Sequence, residues 1–422
     1  MSRLAALALA GTIAGCAGAS TERSDARAMA RVEDALGPLV DAMLTIDKRV
    51  YDEDPALVAY VDRIGQRVAA RAKHDERRFT FTILDDPSVE VWSTVGGRVY
   101  ITRGALARLG SEAELAAVLG HEIAHVAAHH ALHGFLVSAH GFKGETATAV
   151  DDDAQDTDEQ FQADRLGFSY AHAAGYDDDA MTKMLVALHH GDPRAREPVY
   201  SARLARVLMY PRSAGRGKVE EQAFFDRLEG LPVGEDPRDG ALRGRAFASV
   251  RAGIALDVPS GWRAEWKDHV LTAESPDEAD KLGFRRLGGP RVAEVLAAKM
   301  GHAPDVALLG VHFARGSLPV KGAVQELAMF RTANGDAYAV QATGPHAREV
   351  LERTLSAARR PSADDAKVAP SRLHVRRAAI AGRLDVVARA TCGAYSSATG
   401  EINIASADAH VDAGRALKCV VP

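Results

Sequence analysis

The chain contains the sequence HEIAHVAAHH, which begins at His121 and places two imidazoles and one carboxylate within a single helical turn. Residues four positions apart lie on the same face of an α-helix, so His121 and His125 can bind one metal ion together. Glu122 lies beside them and can take a proton from a water molecule at the metal. The pattern predicts a zinc site for hydrolysis with Glu122 as the general base, and the alternative is a chance match on an amphipathic helix.

The helix that carries this motif has clear signals at its start. Ser111 is a candidate N-cap, and Glu114 follows three residues later to form a capping box. Upstream, the runs RFTFTILDD and VEVWSTVGGRVYITR alternate in polarity and predict strands, with a tight bend at Gly96 and Gly97. A still earlier segment, with Asp54 as its N-cap and apolar residues at helical spacing, predicts a helix packed on the same core.

Composition and charge are typical of a globular protein with more than one domain. Hydrophobic residues make up 47% of the 422 residues, charged residues make up 26%, and the formal net charge is -5. A chain of this length is expected to form about two to three domains. The charge balance gives no basic surface, so nucleic acid is not expected as a partner.

The N-terminus predicts export. Residues 1–15 contain one basic residue, a short apolar run and small residues, as signal peptides do. The apolar run is shorter than the roughly 20 residues that span a bilayer. The sequence from Ile13 to Cys16 resembles the bacterial lipobox, which implies a lipid anchor on Cys16 and, with Ala17 next, an outer-membrane position facing the periplasm. The alternative is an ordinary secretory signal that contains a cysteine.

Cys392 and Cys419 are the other two of the three cysteines. In an exported protein they can form a disulfide, but two reduced buried cysteines would give the same sequence. We favour the disulfide.

Periodicity and composition divide the rest of the chain. Acidic residues between His140 and Asp158 predict a solvated loop, because they lack the spacing of a calcium-binding EF-hand. Two helical patterns follow, and a change in composition at 230–244 predicts a boundary. The predicted fold class is multidomain α+β. Its expected parts are a mainly helical domain with a small β-hairpin or sheet at 16–235, a small α+β domain at 245–362, and a C-terminal module at 368–422.

Four segments between about Asp85 and Arg216 carry a family resemblance. They are DDPSVEVWSTVGGRVYITRGAL, SEAELAAVLGHEIAHVAAHH, QFQADRLG and AGYDDDAM. Together they resemble the CAAX prenyl protease family of zinc metallopeptidases (family M48), and above all its exported bacterial members of the BepA type. The resemblance implies an HExxH zincin-type catalytic domain with one Zn2+ per chain. It also implies polypeptide substrates, namely misfolded or envelope proteins, which the enzyme cleaves as an endopeptidase.

The third zinc ligand of that family is a glutamate in the pattern E-x-x-A-D-x-x-G. Aligning Ala163, Asp164 and Gly167 with this pattern places Gln160 at the ligand position. A glutamine offers only a neutral carbonyl oxygen, which should weaken zinc binding. Gln160 is the first candidate for the third ligand and the adjacent Glu159 is the second. The resemblance gives Asp164 the role of orienting a ligating histidine.

Three further positions match the substrate side of the family. Tyr210 and Arg216 align with a histidine and an arginine of the family and imply contacts with the substrate or the transition state. An ordinary packed tyrosine is the alternative for Tyr210. The strand from Gly97 to Ile101 resembles the edge strand that pairs with the substrate backbone, and its alternative is a plain edge hairpin.

More histidines follow the metal motif along the chain. His129 lies one turn beyond His125 and shares its face of the helix. We nevertheless interpret His129, His130, His133 and His140 as polar residues of a helix end, where a positive side chain opposes the helix dipole.

The C-terminal module resembles a LysM domain, with an opening strand, a helix, a middle segment around Asn403 and a closing strand from Gly414. That resemblance implies peptidoglycan as a partner, and the alternative is a degenerate module used only for packing. The glutamine at position 160 also leaves an alternative function open. In that alternative, the protein is a weak or inactive family member that acts as a chaperone-like scaffold at the cell envelope.

Overall fold

The computed structural model describes most of the chain outside its N-terminus. The described residues are 31–33, 35–38, 40, 48–72, 78–130, 157–189, 198–213, 215–288, 305–308, 311–320, 323–333, 335–403 and 408–421. The predicted signal peptide, Cys16, His133, His140 and most of the acidic loop lie outside these residues. No helix within the described ranges combines the length and the apolar character needed to cross a membrane.

The N-terminal part combines helices with a small sheet. Its helices α1 to α7 span Pro55–Ala69, Arg103–Arg108, Glu112–Ala127, Thr157–Ala173, Ala180–His189, Pro198–Leu208 and Glu221–Leu228. Its strands β1 to β4 span Thr80–Leu84, Val91–Thr94, Arg98–Thr102 and Pro232–Val233. Both predicted N-caps are confirmed. The Asp54 carboxylate accepts from two backbone N–H groups at the start of α1, and the Ser111 hydroxyl accepts from the N–H of Glu114 at the start of α3.

The start of α3 is held by a buried hydrogen-bond network around Glu112. The hydroxyls of Tyr60 and Tyr176 donate to its two carboxylate oxygens over 2.7 and 2.8 Å. Arg67 donates to the same carboxylate over 3.2 Å. A carboxylate at the first turn also opposes the positive end of the helix dipole. The beginning of the motif helix is therefore fixed from α1 and from the segment that follows α4.

Helices α3 and α4 touch backbone to backbone because two glycines face each other. A Cβ added to Gly120 would lie 2.9 Å from the carbonyl oxygen of Gly167, and one added to Gly167 would lie 2.6 Å from the amide nitrogen of His121. Any larger residue at either position would push the helices apart. This contact places Asp164, one turn before Gly167, beside His121.

The small sheet has the strand order β1-β3-β2. Strand β3 pairs in parallel with β1 and antiparallel with β2, so it is the central strand. The prediction that the strand after Gly97 is the edge is therefore wrong. Gly96 and Gly97 form the turn before it, with φ of 80° and 77°, which glycine adopts without steric cost. Among the described residues the edge beside α3 is β2, Val91–Thr94, which has one neighbouring strand.

The central part of the chain is built on antiparallel strands. Strands β5 to β14 span Ala241–Arg243, Ala246–Ser249, Ile254–Asp257, Arg263–Lys267, Val270–Glu274, Lys281–Gly288, Asp305–Leu308, Val311–Val320, Ala323–Arg331 and Ala337–Thr343, and helix α8 spans Ala347–Ser356. Strands β5 to β7 form a three-stranded sheet, and the others form a seven-stranded sheet in the order β11-β12-β13-β14-β10-β9-β8. Phe247, Phe284 and Leu351 belong to the core between sheet and helix. With the N-terminal part, this confirms the predicted multidomain α+β class.

The C-terminal module has two helices between two paired strands. Strands β15 to β18 span Ser371–Arg377, Gly382–Arg383, His410–Val411 and Ala416–Val421, and helices α9 and α10 span Leu384–Cys392 and Ser397–Ile402. Strands β15 and β18 are antiparallel, and β15 also pairs with β4 of the N-terminal part. Cys392 and Cys419 form a disulfide that joins the end of α9 to β18.

A buried lysine joins this module to the N-terminal part. The ammonium group of Lys418 donates to the backbone carbonyls of Ala107, Arg108 and Leu109 over 2.7, 3.1 and 2.6 Å. These carbonyls end α2, where a helix has unpaired acceptors and a partial negative charge. Burial lowers the pKa of Lys418 to about 7, while three accepting oxygens favour its charged form. Lys418 thus caps the helix that leads directly into α3.

A cluster of ion pairs joins the N-terminal part to the central part. Asp236, whose side chain is 1% exposed, accepts from Arg238 and Arg251. Both arginines also reach Glu53 just before α1, over 2.7 and 3.1 Å. Burial by itself would raise the pKa of Asp236, but the hydrogen bonds from the two arginines hold it well below its usual value. Asp236 is therefore ionised wherever this cluster is intact.

Replacing Lys418 by methionine is expected to destabilise the chain by about 2 kcal/mol, because three buried carbonyls lose their donor. Urea unfolding of the full chain measures this loss. Lys367→Met is the matched control, since Lys367 is exposed and, among the described residues, pairs with the exposed Asp364. Equal stability of the two variants would contradict the capping role.

Replacing Asp236 by asparagine is expected to destabilise the chain by about 3 kcal/mol at neutral pH, because two arginines lose their carboxylate. The folded-state pKa of Asp236 is lowered, so its contribution is present above the unfolded-state pKa of about 3.9 and fades as the pH falls below that value. The difference in unfolding free energy between wild type and variant should therefore shrink below about pH 4. A difference that stays constant with pH would refute this assignment.

Candidate metal centre

His121 and His125 present their ring nitrogens to each other on α3. Their Nε2 atoms lie 3.1 Å apart, and both residues are buried, with 6% and 3% exposed. Two ligands at about 2.05 Å from a tetrahedral zinc are separated by roughly 3.3 Å. The pair therefore has the separation that two nitrogen ligands of one zinc ion require.

The other ring nitrogen of His121 faces a carboxylate. Its Nδ1 lies 3.0 Å from Oδ1 of Asp164, which is 1% exposed. Arg203 on α6 donates two hydrogen bonds to the same carboxylate, over 2.9 and 2.8 Å. Burial by itself would raise the pKa of Asp164, but Arg203 and His121 hold it well below its usual value. A carboxylate can only accept, so this contact favours the tautomer of His121 that carries its hydrogen on Nδ1 and leaves the Nε2 lone pair for a metal.

His125 is kept neutral by its surroundings. Burial lowers its pKa well below the ordinary value, and the neighbouring His121 and His130 lower it further. A metal binds the neutral imidazole, so this environment favours the ligating form. Nδ1 of His125 lies 3.0 Å from Nδ1 of His130, and Nε2 of His130 lies 3.1 Å from Oε1 of Gln162 on α4.

The helix geometry around the third ligand favours Gln160 over Glu159. Asp164 reaches His121, and Gln160 lies four residues earlier, on the same face of α4. Glu159 lies five residues earlier, which rotates it by about 140° from Asp164. Within the described part of the chain, no three or more His, Cys, Asp or Glu residues group as a metal site. The third ligand thus stays a prediction.

Glu122 follows His121 on α3 and is 7% exposed, so its carboxylate belongs to the same buried region. Tyr210 follows α6, packs against Phe168 with ring centroids 5.2 Å apart, and has a pKa raised by burial and then by Asp164. It also borders a cavity of about 550 Å³ on the α4 side of the site. Arg216 is exposed in the segment beyond. Among the described residues, Arg203 is an arginine that contacts the site, through Asp164.

The prediction of a polar helix end after His125 is wrong for His130. Helix α3 ends at Ala127, and His129 adopts a left-handed conformation with φ of 61°. Its Nδ1 lies 2.7 Å from Oε1 of Glu33, away from the ligand pair. His130 is 6% exposed and contacts His125. His129 therefore does not share the ligand face.

Sequence reasoning missed Arg203 and Gln162 in this centre, and it gave His130 a different role as a polar residue of a helix end. Arg203 could have been sought by asking which cation balances a buried Asp164, since an unpaired buried carboxylate is costly. His130 and Gln162 give no such signal, because their contact depends on how the chain turns after α3.

Comparison with known proteins gives a match over part of the chain. Residues 55–149 match the model of Peptidase family M48. The chain is therefore similar to Peptidase family M48 over these residues. That match spans α1, the small sheet and α3, and Arg203 and the helix with Gln160 and Asp164 lie beyond it.

Named proteins are similar to the chain over short stretches. A putative beta-barrel assembly-enhancing protease of Vibrio cholerae is 33% identical over 110 residues, which are 22% of this chain and 23% of that protein. The beta-barrel assembly-enhancing protease of Escherichia coli K12 is 29% identical over 77 residues, 18% and 16% of the two chains. The mitochondrial metalloendopeptidase OMA1 of Schizosaccharomyces pombe is 34% identical over 71 residues, 17% and 21%. The chain thus spans less than a quarter of the relatives it matches.

Replacing Asp164 by asparagine is expected to weaken zinc binding by about 10- to 100-fold, because His121 loses the carboxylate that fixes its donor nitrogen. Titration of the metal-free chain with zinc against a competing chelator measures the change. Asp226→Asn is the matched control on α7, where the exposed carboxylate accepts from Gln222 within the described part of the chain. Zinc affinity that is equal in both variants would rule out the orienting role.

Proposed function

We propose that the protein is a zinc-dependent endopeptidase of the bacterial cell envelope. The convergence of the His121 and His125 Nε2 atoms at 3.1 Å in a buried site carries this proposal. The outer contacts of both imidazoles support it, because each directs one lone pair toward the shared position. The M48 match and the protease names of the relatives give the reaction class.

The residues of the site suit peptide hydrolysis. Zinc held by His121, His125 and Gln160 would polarise the scissile carbonyl and acidify a water molecule. Glu122 accepts the proton of the attacking water and passes it to the leaving amine. Asp164, kept ionised by Arg203, stabilises His121 in the ligating tautomer throughout the reaction.

The substrate is proposed to bind as an added strand on β2. This strand lies against α3 and has one neighbour among the described residues, so its outer edge can pair with an extended peptide. The cavity beside Tyr210 then offers room for a substrate side chain. Its lining residues are Asp158, Phe161, Gln162, Arg165, Arg206, Met209 and Tyr210.

An envelope location is supported by two features of the sequence and structure. The N-terminal segment with Cys16 has the pattern of a lipoprotein signal. The Cys392–Cys419 disulfide suits an oxidising compartment. Misfolded or envelope proteins are the proposed substrates, by similarity to the beta-barrel assembly-enhancing proteases. The strand and helix order of the C-terminal module supports a LysM-like role, with peptidoglycan as the proposed partner.

Wild type is expected to bind one zinc ion per chain and to cleave an unfolded polypeptide. Glu122→Gln should keep the zinc and lose cleavage by about 100- to 10,000-fold, the usual contribution of a general base. Zinc content by atomic spectroscopy and cleavage of unfolded casein measure both. A Glu122→Gln variant that cleaves as wild type does would refute the proposed base.

The identity of the third ligand is tested by a matched pair of variants. Gln160→Glu adds a charged oxygen ligand and should tighten zinc binding by about tenfold or more, whereas Glu159→Gln should change little. Loss of zinc in Glu159→Gln, with no gain in Gln160→Glu, would transfer the ligand role to Glu159.

The glutamine on this helix face also favours a second candidate function. A site with Gln160 in place of a carboxylate as its third ligand would bind zinc weakly. The protein would then act as an inactive, chaperone-like scaffold at the envelope. In that case wild type holds no zinc and cleaves nothing, while Gln160→Glu gains both. That result would replace the enzyme proposal with the scaffold.

A further inference from the structure

The outer side of His125 contacts a second histidine. Nδ1 of His130 lies 3.0 Å from Nδ1 of His125, and the rings meet edge to face with centroids 5.0 Å apart. The other nitrogen of His130 lies 3.1 Å from Oε1 of Gln162. His130 is 6% exposed, whereas Gln162 is at the surface of α4. A chain of hydrogen bonds therefore runs from the surface to a ligand of the metal site.

The chemistry of the three groups sets the direction of this chain. A carbonyl oxygen only accepts, so Nε2 of His130 carries the hydrogen that faces Gln162. A neutral imidazole has one N–H, so Nδ1 of His130 accepts, and His125 donates to it through Nδ1. The lone pair of His125 then lies on Nε2, opposite the lone pair of His121 that Asp164 fixes. A cation held by both nitrogens would satisfy both lone pairs.

The contact between His125 and His130 forms because α3 ends at Ala127. Had the helix continued, residue 130 would lie about 140° around the axis from residue 125. His129 instead adopts φ of 61°, which turns the chain back so that His130 meets His125. Such a conformation is sterically unfavourable in a residue other than glycine. The bond between His129 and the buried Glu33 offsets part of that cost.

We propose that His130 and Gln162 are positioning residues that fix His125 in the tautomer and orientation needed to bind the metal. This inference rests on the proposed zinc site of His121 and His125. Asp164 fixes the tautomer and orientation of His121 through its carboxylate. His121 is thus positioned by a charged carboxylate. His125 is positioned by the neutral hydrogen-bonded pair of His130 and Gln162, which we call the relay.

Two pairs of variants in the full-length chain test the relay, with zinc affinity measured by competition with a chelator. His130→Phe removes the acceptor and should weaken binding by about 10- to 100-fold. His130→Asn keeps an acceptor near the position of Nδ1 and should lose about threefold at most, because that hydrogen bond is retained. Gln162→Met should weaken binding by a few-fold, and Gln162→Glu, which can only accept, should keep wild-type affinity or exceed it.

Coupling between the two residues separates a relay from general damage to the site. In a double-mutant cycle, Gln162→Met should add nothing once His130→Phe is present, because the relay is already broken. Gln222→Met, an exposed glutamine on α7, is the neutral control and should leave zinc affinity unchanged. The melting temperature of the metal-free Gln162 variants should match wild type, since position 162 is exposed.

The outcomes distinguish the relay from the proposed function. If wild type binds zinc but His130→Phe binds it equally well, or His130→Asn is as weak as His130→Phe, the relay is refuted and the zinc site stands. If Gln162→Glu weakens binding while Gln162→Met does not, the direction of the hydrogen bonds is opposite to the one proposed and the relay is refuted. If wild type itself binds no zinc, the proposed function fails.

Discussion

The close contact between α3 and α4 is the constraint on which the centre depends. Gly120 and Gly167 let the two backbones approach to a distance that no side chain would permit. Only at that distance can a side chain as short as that of Asp164 reach His121. The same approach brings Gln162 within reach of His130. The glycines therefore determine which polar groups of α4 meet the histidines of α3.

Burying so many polar groups in one place requires a partner for each charge. Glu112 at the start of α3 has two tyrosine donors and an arginine, and Asp164 has Arg203 and His121. Left unpaired, each carboxylate would cost several kcal/mol or become protonated. Pairing keeps Asp164 ionised and thus an acceptor only, which is what fixes the tautomer of His121. Its role in the centre follows from its partners as much as from its own chemistry.

Local signals in the sequence predicted the secondary-structure elements well. The sequence did not predict the contacts that depend on the tertiary fold. The caps at Asp54 and Ser111, the helix of the motif and the multidomain α+β class are confirmed, because each depends on neighbouring residues. The order of strands in the small sheet does not depend on neighbouring residues. Strand β3 is central because β1 pairs with the edge opposite β2. Arg203 was missed because its partner Asp164 lies 39 residues away, and the role of His130 was missed because the turn after α3 decides whether it meets His125. A non-glycine residue with positive φ, such as His129, is not evident in the sequence.

The C-terminal module is joined to the centre by more than a linker. Lys418 caps α2, and only Leu109, Gly110 and Ser111 separate α2 from α3. Leu373 and Ile402 of the module lie in the same core as the apolar residues of α1 and α3. A group that caps α2 limits how far the start of α3 can move, and the spacing of His121, His125 and Asp164 depends on that helix keeping its place. Distant parts of the chain therefore contribute to the ligand geometry through packing.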